Sequence, residues 1–96
     1  PDMTIVFEEG TLEKLAHWLN RGVPAIAFVQ AGELPYWRGE SFQHSVTITG
    51  LDETAIWLLD PDFGSDTIPV QIDDFMLAWG ELDYLYATVT RLPNEP

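Results

Sequence analysis

Two side chains in this sequence ordinarily titrate near neutral pH, His17 and His44. His17 falls among Glu13, Asn20 and Arg21, on the polar side of a predicted helix. His44 belongs to FQHSVTIT (residues 42–49). There Phe42, His44, Val46 and Ile48 point one way, and Gln43, Ser45, Thr47 and Thr49 the other. The next apolar run, TAIWLLD (residues 54–60), ends on Asp60. Folding the two runs as a hairpin about Asp52 sets Ile48 opposite Ile56, Val46 opposite Leu58 and His44 opposite Asp60. All six side chains then share the core face. Directly opposed residues have Cβ atoms about 4.5–5.5 Å apart, so imidazole and carboxylate can hydrogen-bond. A carboxylate on one imidazole nitrogen fixes the tautomer and stabilises the imidazolium formed when the other nitrogen takes a proton. The pair is thus an oriented general base that needs a nucleophile. It can equally be two half-buried polar groups that satisfy each other.

The chain offers that base no obvious nucleophile. Cysteine is absent, which excludes disulfides, thiolate metal sites and thiol chemistry by this chain alone. Ser45 neighbours His44 but points to the opposite face, and Ser41 has the wrong parity unless the strand starts later. Ser65 lies in the loop after Asp60 without a nucleophile elbow around it. The acidic stretch DPDFGSD (residues 60–66) lacks the glycine and bidentate glutamate of a calcium loop and reads as a solvated turn. Zinc would need more ligands than His44 and one or two carboxylates. No metal and no cofactor is therefore expected. Leu34-Pro35-Tyr36-Trp37 is a bulky apolar loop that either forms a binding surface or caps the core. Tyr36, Trp37 and Gln43, all near His44, are the candidate binding residues for a peptide.

The elements that must position these groups follow from patterning. Residues 3–7 form an edge strand or an extended lead-in. Thr11 caps a helix with Leu12, Leu15, Ala16 and Leu19 on one face, and Gly22 ends it. PAIAFVQ (residues 24–30) is a buried strand, and residues 31–40 form a loop marked by Gly32, Pro35 and Gly39. The two hairpin strands come next. Pro61 ends the second of them, and residues 62–69 are a loop. Asp73 caps a second helix that carries Phe75, Met76 and Trp79 to the core. YLYATVT (residues 84–90) is the last strand, and residues 92–96 are expected to fray. The order is helix, strand, strand, strand, helix, strand. It predicts an α+β domain with a mainly antiparallel sheet, residues 1–96 forming one domain.

Three segments in this order resemble a known family: GVPAIA (residues 22–27), QHSVTITG (residues 43–50) and WLLDP (residues 57–61). They are similar to the C-terminal half of the bacteriocin-processing, double-glycine-leader cysteine peptidases (cysteine-peptidase family 39). In those relatives a histidine leads a hydrophobic strand and an Asp-Pro ends the next. A short helix with Phe and Trp follows, as DFMLAW (residues 74–79) does here. The resemblance spans residues 12–92. It implies a papain-like α+β half-domain with two helices, in which His44 is the general base and Asp60 its orienter. The sequence departs from the family where the nucleophile should be. The family carries its cysteine on an upstream helix, with a glutamine shortly before it for the oxyanion. Here that helix and the cysteine are missing, and Gln30 and Gln43 lie in or beside strands. The chain is then a fragment, a split half whose partner supplies the cysteine, or a degenerate domain that binds without cleaving. Peptidase activity is expected only if a Cys-bearing segment or partner is supplied. The alternative is a non-catalytic peptide- or protein-binding module.

Bulk composition narrows the partners. Four Lys+Arg face 16 Asp+Glu, a formal net charge of −12. Nucleic-acid binding needs a basic patch, and none exists; an anionic membrane surface would repel the chain. The acidity favours a basic partner or serves solubility alone. Without the cysteine-bearing helices, apolar surface should lie uncovered, which predicts self-association or a Cys-bearing partner chain. No apolar run reaches membrane length and no signal peptide is visible, so the reading is a cytoplasmic protein.

Overall fold

The computed structural model describes residues 3–38 and 41–91; the tail expected to fray lies outside the described residues. The elements are β1 (Met3–Glu9), α1 (Leu12–Asn20), β2 (Ala25–Gln30), β3 (Gln43–Leu51), β4 (Ala55–Leu59), β5 (Ile68–Gln71), α2 (Ile72–Gly80) and β6 (Leu85–Arg91). The strands form one sheet in the order β1-β6-β2-β3-β4-β5, antiparallel at every pairing. The fold is therefore α+β, as the element order predicts.

One sheet face carries the core. Ala25, Ala27 and Val29 of β2 pair with Ile48, Val46 and His44 of β3, and Ala27 also pairs with Tyr86 of β6. All of these but His44 join Ile56 and Leu58 under Leu15 of α1 and Phe75, Ala78 and Trp79 of α2. Both helices are pinned to this face by indole hydrogen bonds. Trp18 Nε1 donates to Tyr86 Oη at 3.0 Å, and Trp79 Nε1 donates to the Leu85 carbonyl at 2.8 Å. The opposite face is open. Met3, Ile5, Phe7 and Val89 are exposed there, beside half-buried Ile26, Phe28 and Leu85.

Local sequence explains most boundaries. The Thr11 hydroxyl accepts the Lys14 N–H at 3.1 Å, the expected cap of α1. Gly22 takes φ 77° just past that helix, a conformation that costs glycine little. Two expectations need correction. Ile68 and Pro69, expected at the end of a loop, belong to strand β5. Pro69 is tolerated because β5 is a sheet edge, where one row of N–H groups has no ladder to join. Because β5 runs directly into α2, the cap is Gln71, without a side-chain hydrogen bond, and not Asp73. Asp73 and Asp74 lie in the first helical turn, where their charge suits the helix dipole.

The β3–β4 hairpin also departs from the expected register. Ile48 lies opposite Leu58, not Ile56, and Leu51 lies opposite Ile56. The turn causes this. Asp52 accepts the N–H groups of Thr54 at 2.8 Å and Ala55 at 2.9 Å, so the turn begins at Asp52 and is not centred on it. Left uncorrected, that turn would set Thr49 beside Leu58. A bulge between Ile48 and Gly50 absorbs one residue and returns Ile48, Val46 and His44 to the core face. The net slip is two residues, which preserves the face while changing every partner.

Candidate functional site

The ordered part of β4 ends at Leu59, and Asp60 is the next residue. Continuing the register places Asp60 across from Val46, so His44 reaches it diagonally and not from the directly opposed position. Diagonal neighbours on a sheet lie about 7–8 Å apart, within range of an aromatic side chain. The contact is made: His44 Nε2 lies 2.8 Å from Asp60 Oδ1. The Asp60 side chain is fully buried and that of His44 is 11% exposed.

Asp60 is the hub of this site. Its Oδ1 also accepts the Asp62 N–H at 3.0 Å, across a short 3₁₀ turn at Pro61–Phe63 that Asp60 itself caps. Its Oδ2 accepts the Tyr36 hydroxyl at 2.8 Å and the Trp37 indole N–H at 3.0 Å. A carboxylate has about four acceptor positions, and here all are taken. Burial by itself would raise the Asp60 carboxyl. The hydrogen bonds from His44, Asp62, Tyr36 and Trp37 outweigh it and hold the group below the usual carboxylate range. An ionised carboxylate offers only lone pairs, so the proton between the two groups belongs to His44 Nε2. Among the described residues this is the ring's hydrogen bond, so Nδ1 is the ring nitrogen left to meet a reactant. The arrangement is an oriented imidazole able to accept one proton at Nδ1.

Aromatic rings surround the pair. The Trp37 ring meets His44 edge-on at 5.4 Å between centroids, and Phe42 meets it at 5.7 Å. Phe63 packs against Trp37 at 4.8 Å and Tyr36 at 4.9 Å. The polar ends of Tyr36 and Trp37, two of the three expected binding residues, thus turn inward onto Asp60. Phe42 and Phe63 are exposed at the rim. Gln43 is exposed on the other sheet face, where it lines a shallow cavity of about 460 Å³ with Phe7, Phe28, His44, Ser45, Leu82 and Leu85. Sequence reasoning missed Phe63 and the backbone of Asp62. Their signal was the Asp-Pro-Asp run, in which an aspartate can cap its own following turn.

His44, Asp60 and Asp62 bring candidate ligand atoms within 4.8 Å of one another. A cation there would have to displace donors from Asp60, whose oxygens each already accept two hydrogen bonds, so the cluster fits a hydrogen-bonded dyad better than a metal centre. His17 lies apart on α1, where its Nε2 accepts from Arg21 Nε at 3.1 Å. Ser65 is exposed. No helix among those residues is long and apolar enough to cross a membrane.

Neither a family model nor a curated protein matches the sequence. A crystal structure from Bacillus anthracis, described as a C39-like peptidase, is similar to it with a TM-score of 0.73 and 20% identity over 91% of this chain. The chain spans about half of that structure, 51% of its length. At this identity the likeness concerns the fold: the sheet and helices that hold His44 beside Asp60 are similar in fold to about half of that structure.

Proposed function

We propose that this chain is the histidine–aspartate part of a cysteine-peptidase-like domain, a papain-like half-domain that is inactive alone. The observation that carries this reading is the His44 Nε2–Asp60 Oδ1 contact of 2.8 Å, with the carboxylate buried, on a C39-like fold. The thiol is to come from outside the 96 residues, since they contain no cysteine. In this reading Nδ1 of His44 removes the proton of that thiol, and the thiolate attacks a peptide carbonyl. Asp60 orients the ring and stabilises the imidazolium until the proton passes to the leaving amine. A peptide would meet the exposed rings of Phe42 and Phe63 at the rim of the dyad. A double-glycine leader is the substrate class that the sequence resemblance suggests.

The test is recovery of the natural protein from its source, followed by intact mass measurement and labelling with a thiol-directed peptide electrophile. We expect a Cys-bearing extension or a stoichiometric Cys-bearing partner. Labelling of that cysteine should drop at least about a hundredfold in His44→Ala, the lower end of what a positioned general base contributes. A species of this length with no Cys-bearing partner would overturn the peptidase reading.

A second reading, a non-catalytic interaction module, is favoured by the open sheet face. Ile5 is 69% exposed and Phe7 60%, with Met3 and Val89 exposed on the same face, and apolar side chains grouped on one face suit an interaction surface. In this reading the face meets a second copy of the chain or a protein partner.

A further inference from the structure

We propose that Tyr36 and Trp37 are positioning residues for the dyad, which clamp one oxygen of Asp60 so that the other is held for His44. This rests on the reading of His44 and Asp60 as a base and its orienter. Consecutive side chains normally diverge, yet these two converge on one atom, Asp60 Oδ2, at 2.8 and 3.0 Å. The backbone makes that possible. Leu34 is buried and its N–H donates to the Ala31 carbonyl at 2.9 Å, while the Trp37 N–H donates back to the Leu34 carbonyl at 3.0 Å. The resulting turn is anchored in the core and presents both donors on the same side.

Three features separate a clamp from ordinary packing. First, the donors occupy Oδ2 completely, so any rotation of the carboxylate that loosens Oδ1 from His44 also breaks two other hydrogen bonds. Second, Trp37 touches both members of the pair, donating to Asp60 and standing edge-on against the His44 ring. Third, the Tyr36 hydroxyl remains a donor throughout the neutral range. Burial, the hydrogen bond to Asp60 and the charge of Asp60 push its ionisation far above the ordinary tyrosine value. The titratable groups around Asp60 are then Tyr36 from the loop, His44 from β3 and the exposed Asp62 from the following turn. Phe63, wedged between Tyr36 and Trp37, keeps the two rings in place.

The test uses the chain as it stands and needs no activity. In a His17→Gln background, imidazole ¹⁵N and ¹H NMR at pH 8 reads the tautomer of His44 and the solvent exchange of its Nε2–H. The unaltered site should give a single Nε2–H tautomer with a protected proton. Tyr36→Phe deletes one hydroxyl and keeps the ring; Trp37→Phe deletes the indole donor. Each should speed exchange of the His44 Nε2–H by roughly tenfold, as expected for one lost charge-assisted hydrogen bond. Each should also raise the pH at which the Asp60 carboxyl protonates, read by ¹³C NMR, while far-UV circular dichroism stays unchanged. Should Trp37→Phe fail to fold, Tyr36→Phe still decides the matter. If Asp60→Asn changes the His44 signal while both loop variants leave it unmoved, the clamp is wrong and the dyad stands. If Asp60→Asn itself leaves the signal unmoved, the dyad reading fails and the clamp with it.

Discussion

A buried carboxylate with four donors makes the stability of this protein depend on pH in a predictable direction. The Asp60 carboxyl is held below its ordinary value of 3.8 in the folded chain. A depressed carboxyl contributes stability that is fully present above the unfolded pKa and is lost as pH falls through the folded one. The contribution of Asp60 is therefore complete above about pH 5 and fades below about pH 4. Asp52, whose carboxyl is also lowered by the N–H groups of Thr54 and Ala55, adds a pH dependence of the same sign. Comparison with Asp60→Asn isolates the part that belongs to Asp60. We expect Asp60→Asn to cost about 1–3 kcal/mol at pH 7, because donors from Tyr36 and Trp37 then face an amide. The gap between the two proteins should narrow as pH drops from 5 to 3. Urea unfolding at steps across that range measures it, and parallel curves would show that Asp60 is not held ionised by its neighbours.

The hairpin shows why part of this site was legible in the sequence and part was not. Alternation along residues 42–49 and the apolar run ending at Asp60 placed His44 and Asp60 on the core face, and the structure has both there. The pairing did not follow from pattern, because a slip of two residues leaves every side chain on the same face. The turn residue Asp52 and the bulge at Thr49 decide it together, and a bulge leaves little trace in a pattern of apolar positions. Likewise Tyr36 and Trp37 were recognisable as unusual. Their inward hydrogen bonds depend on a turn anchored by Leu34, which spacing alone does not reveal. Strand β5 was hidden behind Pro69, since its edge position is a property of the whole sheet. The bulge itself is testable. Thr49 is the residue that the bulge absorbs, so deleting it sets Ile48 opposite Leu58 directly after Gly50 opposite Trp57 and keeps His44 and Val46 on the core face. We expect that variant to unfold cooperatively and to retain the protected His44 Nε2–H. A deletion variant that loses the His44 signal would show that the bulge does more than absorb one residue.

At the scale of the molecule, the distribution of charge bears on what covers the open face. By strand register that face carries Ile5, Phe7, Ile26, Phe28, Thr47, Trp57, Leu59, Leu85 and Val89, with Glu9 an acid at its margin. A chain with 16 acidic residues has thus kept them almost entirely off one broad surface. Two influences then compete when copies of the chain meet. Burial of Phe7 and its neighbours favours association, by about 25 cal/mol for each Å² of apolar surface removed from water. Like charge opposes it, over a range that shrinks from about 30 Å at 0.01 M salt to about 8 Å at 0.15 M. Salt therefore tells the possible occupants apart. Self-association through this face should strengthen as salt rises, and Phe7→Lys should abolish it by placing a charge in the apolar patch. A basic partner attracted by the acidic rim would instead weaken with salt. Sedimentation velocity at low and high salt, on the unaltered chain and on Phe7→Lys, reads the first case directly. A monomer at every salt and concentration would leave this face to a different protein and remove the second copy from consideration.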